Sequence, residues 1–300
     1  MGSWMSRFSG QQFRLFRVFG ITVFLHWSWF LVAAYELDQR SGRYNSLGWN
    51  IAEYLALFFI VLLHEFGHSL ACRQVGGSAN EIILWPLGGV AFVSPPPRAG
   101  AVLWSVAAGP LVNVVMVALL VLAGPFLSRL DLSTSALHFL AQLRWINVGL
   151  LVFNLLPIYP LDGGQILRAL LWFPLGRSRS LFVAALFGVT GAVGLLALAV
   201  WKESFWIGIL AVFILSRCWH GFGEAKSLAL LAKIPRRDGF ECPSCRAQPL
   251  QAPAWICPEC QETFDTFEHG AVCPGCGRPS PVTGCPECRQ AHPLAEWVRR

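Results

Sequence analysis

The stretch from Leu57 to Gln74, LFFIVLLHEFGHSLACRQ, sets His64, Glu65 and His68 inside a segment apolar enough to cross a bilayer. On a helix, residues i and i+4 share a face, so both imidazoles can reach one metal ion. Glu65 stands beside them, where it can take a proton from a water that the metal activates. Ionisable side chains in hydrocarbon are costly and mark functional sites. Two packed core histidines are the competing reading. A third-ligand candidate downstream, Asp162, favours the metal, and zinc is the ion that this signature selects.

Composition agrees with the apolar setting. The 300 residues are 55% hydrophobic and 13% charged, with a mean hydropathy of +0.52. Soluble domains carry about twice that charged fraction. The expectation is an α-helical polytopic membrane protein of about six spans with a re-entrant β-hairpin, followed by a small cysteine-rich domain. The net charge of +6 needs no nucleic acid, because basic residues flank membrane segments on the cytoplasmic side. The basic N-terminus runs into an apolar segment with no small-residue cleavage site, so it reads as a retained anchor.

Residues 1–18, with Arg7, Arg14 and Arg17 among aromatics, suit an interfacial helix or arm. A first span is expected over residues 19–36, with His26 as a packed core residue, and then a polar loop over 37–48. The second span, 49–72, carries HEFGH. Residues 78–97 hold β-branched and aromatic side chains, the pair Gly88-Gly89 and three prolines. They read as a hairpin that lines a cavity or packs on protein. A third span over 101–127 is expected to kink at Gly109-Pro110, next to Asn113. A fourth starts near Trp145 and breaks in Asn154-Leu-Leu-Pro157-Ile-Tyr-Pro160-Leu-Asp162-Gly163-Gly164. Asp162 can cap the following helix or complete the metal site; beside HEFGH, ligation is favoured. Spans five and six fall at 181–201 and 204–219, and a polar tether over 221–239 leads to the tail. With the N-terminus inside, thirteen basic residues before the tail lie on inner segments and five on outer loops. The positive-inside rule then puts both termini in the cytoplasm, with the metal roughly 8–14 Å below that face at 1.5 Å per residue.

HEFGH together with NLLPIYPLDGG resembles the site-2 protease family of intramembrane zinc metalloproteases. PLGGVAFV, AGPLVN (108–113) and HWSWF are similar to the compact six-span branch of that family, and the resemblance covers about residues 15–220. It implies that His64, His68 and Asp162 hold zinc, that Glu65 is the general base, and that transmembrane segments of regulatory proteins are cleaved. From the residues alone, three protein ligands leave the fourth position of zinc open for water. Asn113 and Asn154 can donate to an oxyanion or act as polar glue between spans. The hairpin around Gly88 and Gly89 can pair with an extended substrate or plug the cavity.

The tail departs from that branch, whose members commonly carry a nucleotide-sensing CBS pair there. Its eight cysteines form four Cys-x-x-Cys pairs: Cys242/Cys245, Cys257/Cys260, Cys273/Cys276 and Cys285/Cys288. Such spacing indicates two structural zincs in a double zinc ribbon over 240–300 and a reducing compartment. The ribbons can form from consecutive pairs or be interleaved. Five arginines against seven carboxylates from Phe240 to Arg300, a net charge of −2, argue against nucleic acid and for a protein-docking module. The three parts expected are therefore a membrane-embedded domain (1–220), a tether (221–239) and the ribbons (240–300). A non-catalytic membrane scaffold or zinc-handling protein is the alternative function, and the intact Glu65 argues against it. The lipid bilayer and a transmembrane protein substrate are the partners that the first reading requires.

Overall fold

The computed structural model describes residues 12–31, 33, 46–85, 88–127, 129–288 and 290–299. It opens with two strands: β1 (Gln12–Val18), where an interfacial helix or arm was expected, and β2 (Ile21–His26), where a membrane-spanning helix was expected over 19–36. Hydropathy alone reads FGITVFLH as the start of a span, but a second pattern competes with it. Phe19 and Gly20 both take positive φ, 49° and 73°, in a two-residue turn that puts Val18 opposite Ile21. That turn matches the twist of a hairpin. In β2 the buried residues Ile21 and Val23 alternate with the half-buried Thr22 and Phe24. Residues 28–31 and 33 are helical; residues 1–11 of the expected arm and 37–45 of the expected loop lie outside the described residues.

The helix α1 (Leu47–Gln74) follows and then β3 (Ser78–Trp85), which pairs parallel to β2. Parallel neighbours need a long crossover, and here α1, the carrier of HEFGH, lies within it. β4 (Gly88–Ser94) turns back antiparallel on β3 to complete a sheet of order β1-β2-β3-β4. The expected hairpin is thus present, as half of a four-stranded sheet. Ile21, Val23, Ile82 and Leu84 from the sheet pack with Val61 and Leu62 of α1 into one core.

Three long helices complete the membrane part: α2 (Ala99–Leu127), α3 (Thr134–Leu155) and α4 (Asp162–Trp201); α5 (Phe205–Leu231) runs on past it. Among the described residues, five helices are long and apolar enough to cross a membrane. α2 runs as one helix through Pro110, and α3 begins eleven residues before the Trp145 expected as its start. α4 combines the segment after Asp162 with the expected fifth span; Gly176 (φ 78°, ψ 171°) interrupts its helical geometry. Large side chains such as Leu122, Phe173 and Val200 are exposed, as a hydrocarbon solvent permits.

The chain divides into two compact units, one of residues 1–176 and 180–222, the other of 177–179 and 223–300. The expected tether is largely absent as such, because α5 stays helical to Leu231. In the second unit four two-residue strands form two hairpins, β5 (Trp255–Ile256) with β6 (Thr263–Phe264) and β7 (Thr283–Gly284) with β8 (Ala291–His292). Each hairpin frames one Cys-x-x-Cys pair. Trp297, fully buried, packs with Cys242 and Cys285 and stacks edge-on against Phe267.

Candidate active site

The 3.6-residue period of α1 brings the rings of His64 and His68 to 4.7 Å between centroids. Their Nε2 atoms lie 3.0 Å apart. Asp162, the first residue of α4, places Oδ2 3.0 Å from His64 Nε2 and 3.4 Å from His68 Nε2. Leu161 occupies the cap position of α4, so the Asp162 side chain is turned to the histidines and does not cap.

The proton positions follow from the outer ring nitrogens. His64 Nδ1 lies 2.5 Å from Asn113 Oδ1, and His68 Nδ1 lies 2.9 Å from the carbonyl of Ser105. Both partners are acceptors, so each Nδ1 carries the proton and each Nε2 a lone pair. Asp162 Oδ2 is buried and accepts no hydrogen bond. Two lone pairs and a carboxylate oxygen therefore converge within 3.4 Å, an arrangement that repels itself unless a cation sits between them. Nitrogen and carboxylate donors in this number suit zinc with a fourth position open. Gly109 of α2 keeps the space free: a Cβ there would overlap the His68 and His64 rings.

Glu65 is buried on the sheet side of α1. Its Oε2 accepts a hydrogen bond from the backbone N–H of Ala91 in β4, at 2.9 Å. Gly89 permits that approach, since any side chain there would run into the Glu65 carboxylate. Gly88 opens the same strand, paired with Trp85.

Of the two asparagines expected near an oxyanion, Asn113 is corrected. It is fully buried; its oxygen faces His64 and its amide nitrogen donates to Asn147 Oδ1 at 2.5 Å. Fully buried behind the His64 ring, it does not face a substrate. Asn154 is half-buried in the last turn of α3. His26 is buried, with Nδ1 2.6 Å from Ser28 Oγ and its ring edge-on to Trp85, as a packed core residue. Sequence reasoning missed Ser105, Asn147 and the Ala91 N–H. A backbone group leaves no trace in composition, but Asn147 carries a visible signal, an amide in the apolar run RWINVGLL.

The eight tail cysteines form two clusters, Cys242, Cys245, Cys285 and Cys288 in one, Cys257, Cys260, Cys273 and Cys276 in the other. The pairs are nested, and the consecutive grouping is set aside. Sulfur separations of 3.6 Å (Cys242–Cys288), 3.7 Å (Cys245–Cys285), 3.7 Å (Cys257–Cys276) and 3.5 Å (Cys260–Cys273) are too long for disulfides. A tetrahedral zinc with bonds of about 2.3 Å puts its sulfurs about 3.8 Å apart, so the clusters fit that ion. Arg246, Gln261 and Gly277, each next after the second cysteine of a pair, take positive φ, which wraps the chain tightly around each pair. Cys72 and Cys218 are buried in the membrane part.

In the same unit Glu287 bridges Arg177 (2.7 Å) and Arg236 (2.8 Å). Burial raises its affinity for a proton, but the hydrogen bond from Arg236 and the charges of both arginines outweigh this and hold its pKa below the usual carboxylate range.

Sequence profiles of the peptidase family M50 match residues 129–198, and of the M50B-like peptidases residues 44–156. A zinc metalloprotease of Methanocaldococcus jannaschii is 32% identical over 203 residues, 67% of this chain and 58% of that protein. The Rip3 protein of Mycobacterium tuberculosis is 27% identical over 299 residues, 93% of this chain and 75% of Rip3. The solved structure of a site-2 protease from Methanocaldococcus jannaschii superposes with a TM-score of 0.54 at 30% identity, covering 70% of this chain and 95% of that one. The chain thus spans less than two thirds of the length of the first of these relatives.

Proposed function

The chain belongs to the site-2 protease family, peptidase family M50, and on that premise we propose that it is a zinc endopeptidase hydrolysing peptide bonds inside transmembrane segments of regulatory membrane proteins. The observation that carries this reading is the convergence of His64 Nε2, His68 Nε2 and Asp162 Oδ2 beside a buried glutamate. His64, His68 and Asp162 would hold the catalytic zinc, which when bound would supply Lewis acidity for the scissile carbonyl and the attacking water. Glu65 takes the proton of that water and returns it to the leaving amine. The Ala91 N–H fixes one carboxylate oxygen and so aims the other. A pure zinc-handling site has no need of a base held in this way.

A helical substrate hides its carbonyls and must unwind to be cut. β4 is one of the two outer strands of its sheet, and it is bonded to Glu65 through Ala91. An extended substrate added along that strand would deliver its backbone to the base, with Gly88 and Gly89 keeping the approach clear. Asn154 is the remaining amide proposed to face the oxyanion.

The tail carries two structural zincs on its eight cysteines and serves as a docking module for substrate or a partner protein. Five helices long and apolar enough to cross a membrane support a multi-pass protein, and we place its cysteine-rich tail in the cytoplasm. Eight thiols kept for zinc agree with that reducing side.

The test is Glu65→Gln. It removes the base and no ligand, so cleavage of a detergent-solubilised transmembrane peptide should fall by roughly 10²–10⁴-fold or more, while zinc content stays that of the unsubstituted protein. Undiminished turnover would overturn the mechanism.

A further inference from the structure

The two histidines are held by different means. His68 Nδ1 donates to the main-chain carbonyl of Ser105, a group that can only accept. His64 Nδ1 donates to the side-chain amide of Asn113, a group with two unlike ends. Turned over, that amide would present its NH2 to Nδ1 and would force the ring proton onto Nε2. A protonated Nε2 cannot bind a metal. The ligand capacity of His64 therefore hangs on which way Asn113 points.

Asn147 on α3 decides that direction. Its Oδ1 accepts from Asn113 Nδ2 at 2.5 Å, so the nitrogen end is drawn away from His64. Its own direction is fixed in turn, because Asn147 Nδ2 donates to the main-chain carbonyl of Asn113 at 3.0 Å. The series ends on an acceptor that has no second form. α3 otherwise stands with its sides open: Asn147 is its one buried residue and is fully enclosed. Packing alone would have favoured a small apolar residue at that point.

We propose that Asn147 is a positioning residue for the active site, which orients the Asn113 amide and thereby holds His64 in the tautomer that binds zinc through Nε2. The inference rests on the reading of His64, His68 and Asp162 as the catalytic zinc site. Outer partners of ligating histidines typically set metal affinity by 10–100-fold.

Full-length protein in detergent is examined by native mass spectrometry during competition with a zinc chelator, with His64→Ala marking the zinc of the membrane part. Asn147→Leu, and Asn147→Ala as a smaller replacement that folds where leucine is too large, should weaken that zinc by roughly 10–100-fold and leave the tail zincs in place. Gel filtration and thermal unfolding confirm that the helices are intact. The double variant N113D/N147L should recover the affinity, because both oxygens of a carboxylate accept and no orientation is left to set. A merely structural Asn147 would show no such recovery. Unchanged affinity in the single variants, or loss that the double variant fails to restore, overturns the role given to Asn147. A chain that shows no zinc sensitive to His64→Ala overturns the metal site itself, and this inference with it.

Discussion

At the residue scale the decisive feature is that three electron-pair donors meet where no protein donor meets them. Asp162 supplies the only negative charge among the three, and it is not the cap of α4. Asp162→Asn keeps the shape and an oxygen but removes the charge. The protein should lose the membrane-part zinc and its peptidase activity together, with the helix content seen by circular dichroism unchanged. Retention of both would assign the third ligand to another residue. HEFGH and the Asp-Gly-Gly break were legible in the sequence because their chemistry is local: the spacing of two histidines on one helix, and a carboxylate at a helix break, for which HEFGH favours ligation over capping. The polar groups that hold them were less so: Ser105 acts through its backbone, and Asn147 shows as an amide in an apolar run whose partner depends on how α3 packs.

At the scale of elements, legibility divides along the same line. The hairpin over β3 and β4 announced itself through glycines, prolines and β-branched residues. β2 was hidden, because an apolar strand and an apolar helix share one hydropathy, and β1 was hidden because its arginines among aromatics also suit an interfacial helix. Only the Phe19-Gly20 turn tells them apart. In the tail, spacing revealed four Cys-x-x-Cys pairs, yet which pair meets which depends on chain path and not on spacing. The nested path makes a sharp prediction for zinc counts. Cys242→Ser with Cys285→Ser damages one site and should leave one tail zinc; Cys242→Ser with Cys257→Ser damages both and should leave none. Consecutive pairing would give the reverse, and native mass spectrometry separates the two.

The bridge at Glu287 belongs to this scale too. Its folded-state pKa is depressed, so the stability it contributes is present above the unfolded pKa and is lost as pH falls through the folded value. Its side chain is 23% exposed and those of Arg177 and Arg236 are each 33% exposed, so solvent screens part of the effect. Glu287→Gln should cost about 1 kcal/mol near neutral pH, read as earlier release of tail zinc on heating. The difference from the unsubstituted protein should vanish in acid, below the ordinary carboxylate range. A difference that persists there would place the effect in packing and not in charge.

For the whole molecule, the division into two units puts His64, Glu65, His68 and Asp162 in one and both cysteine clusters in the other. Deleting residues 240–300 should reduce bound zinc from three ions to one and leave cleavage of a solubilised transmembrane peptide in place. In membranes, cleavage of a substrate that docks on the ribbons should fall, because a joined module raises effective concentration. Loss of the peptide activity with the last zinc still bound would make the ribbons part of the catalytic machinery.

The nested clusters also set a problem of timing. On the ribosome the chain appears from the N-terminal end, so Cys242 and Cys245 emerge first and Cys257 and Cys260 next. Four thiols at ribbon spacing are then available before either of their rightful partners exists. A zinc ion captured at that moment would clasp the wrong quartet, and the later cysteines would be left to each other. The native arrangement requires that the Cys257/Cys260 pair be surrendered to Cys273/Cys276, and that the first pair wait for Cys285 and Cys288, the last to be made. Wherever zinc is captured that early, exchange of ligands between thiolates would have to precede the finished tail.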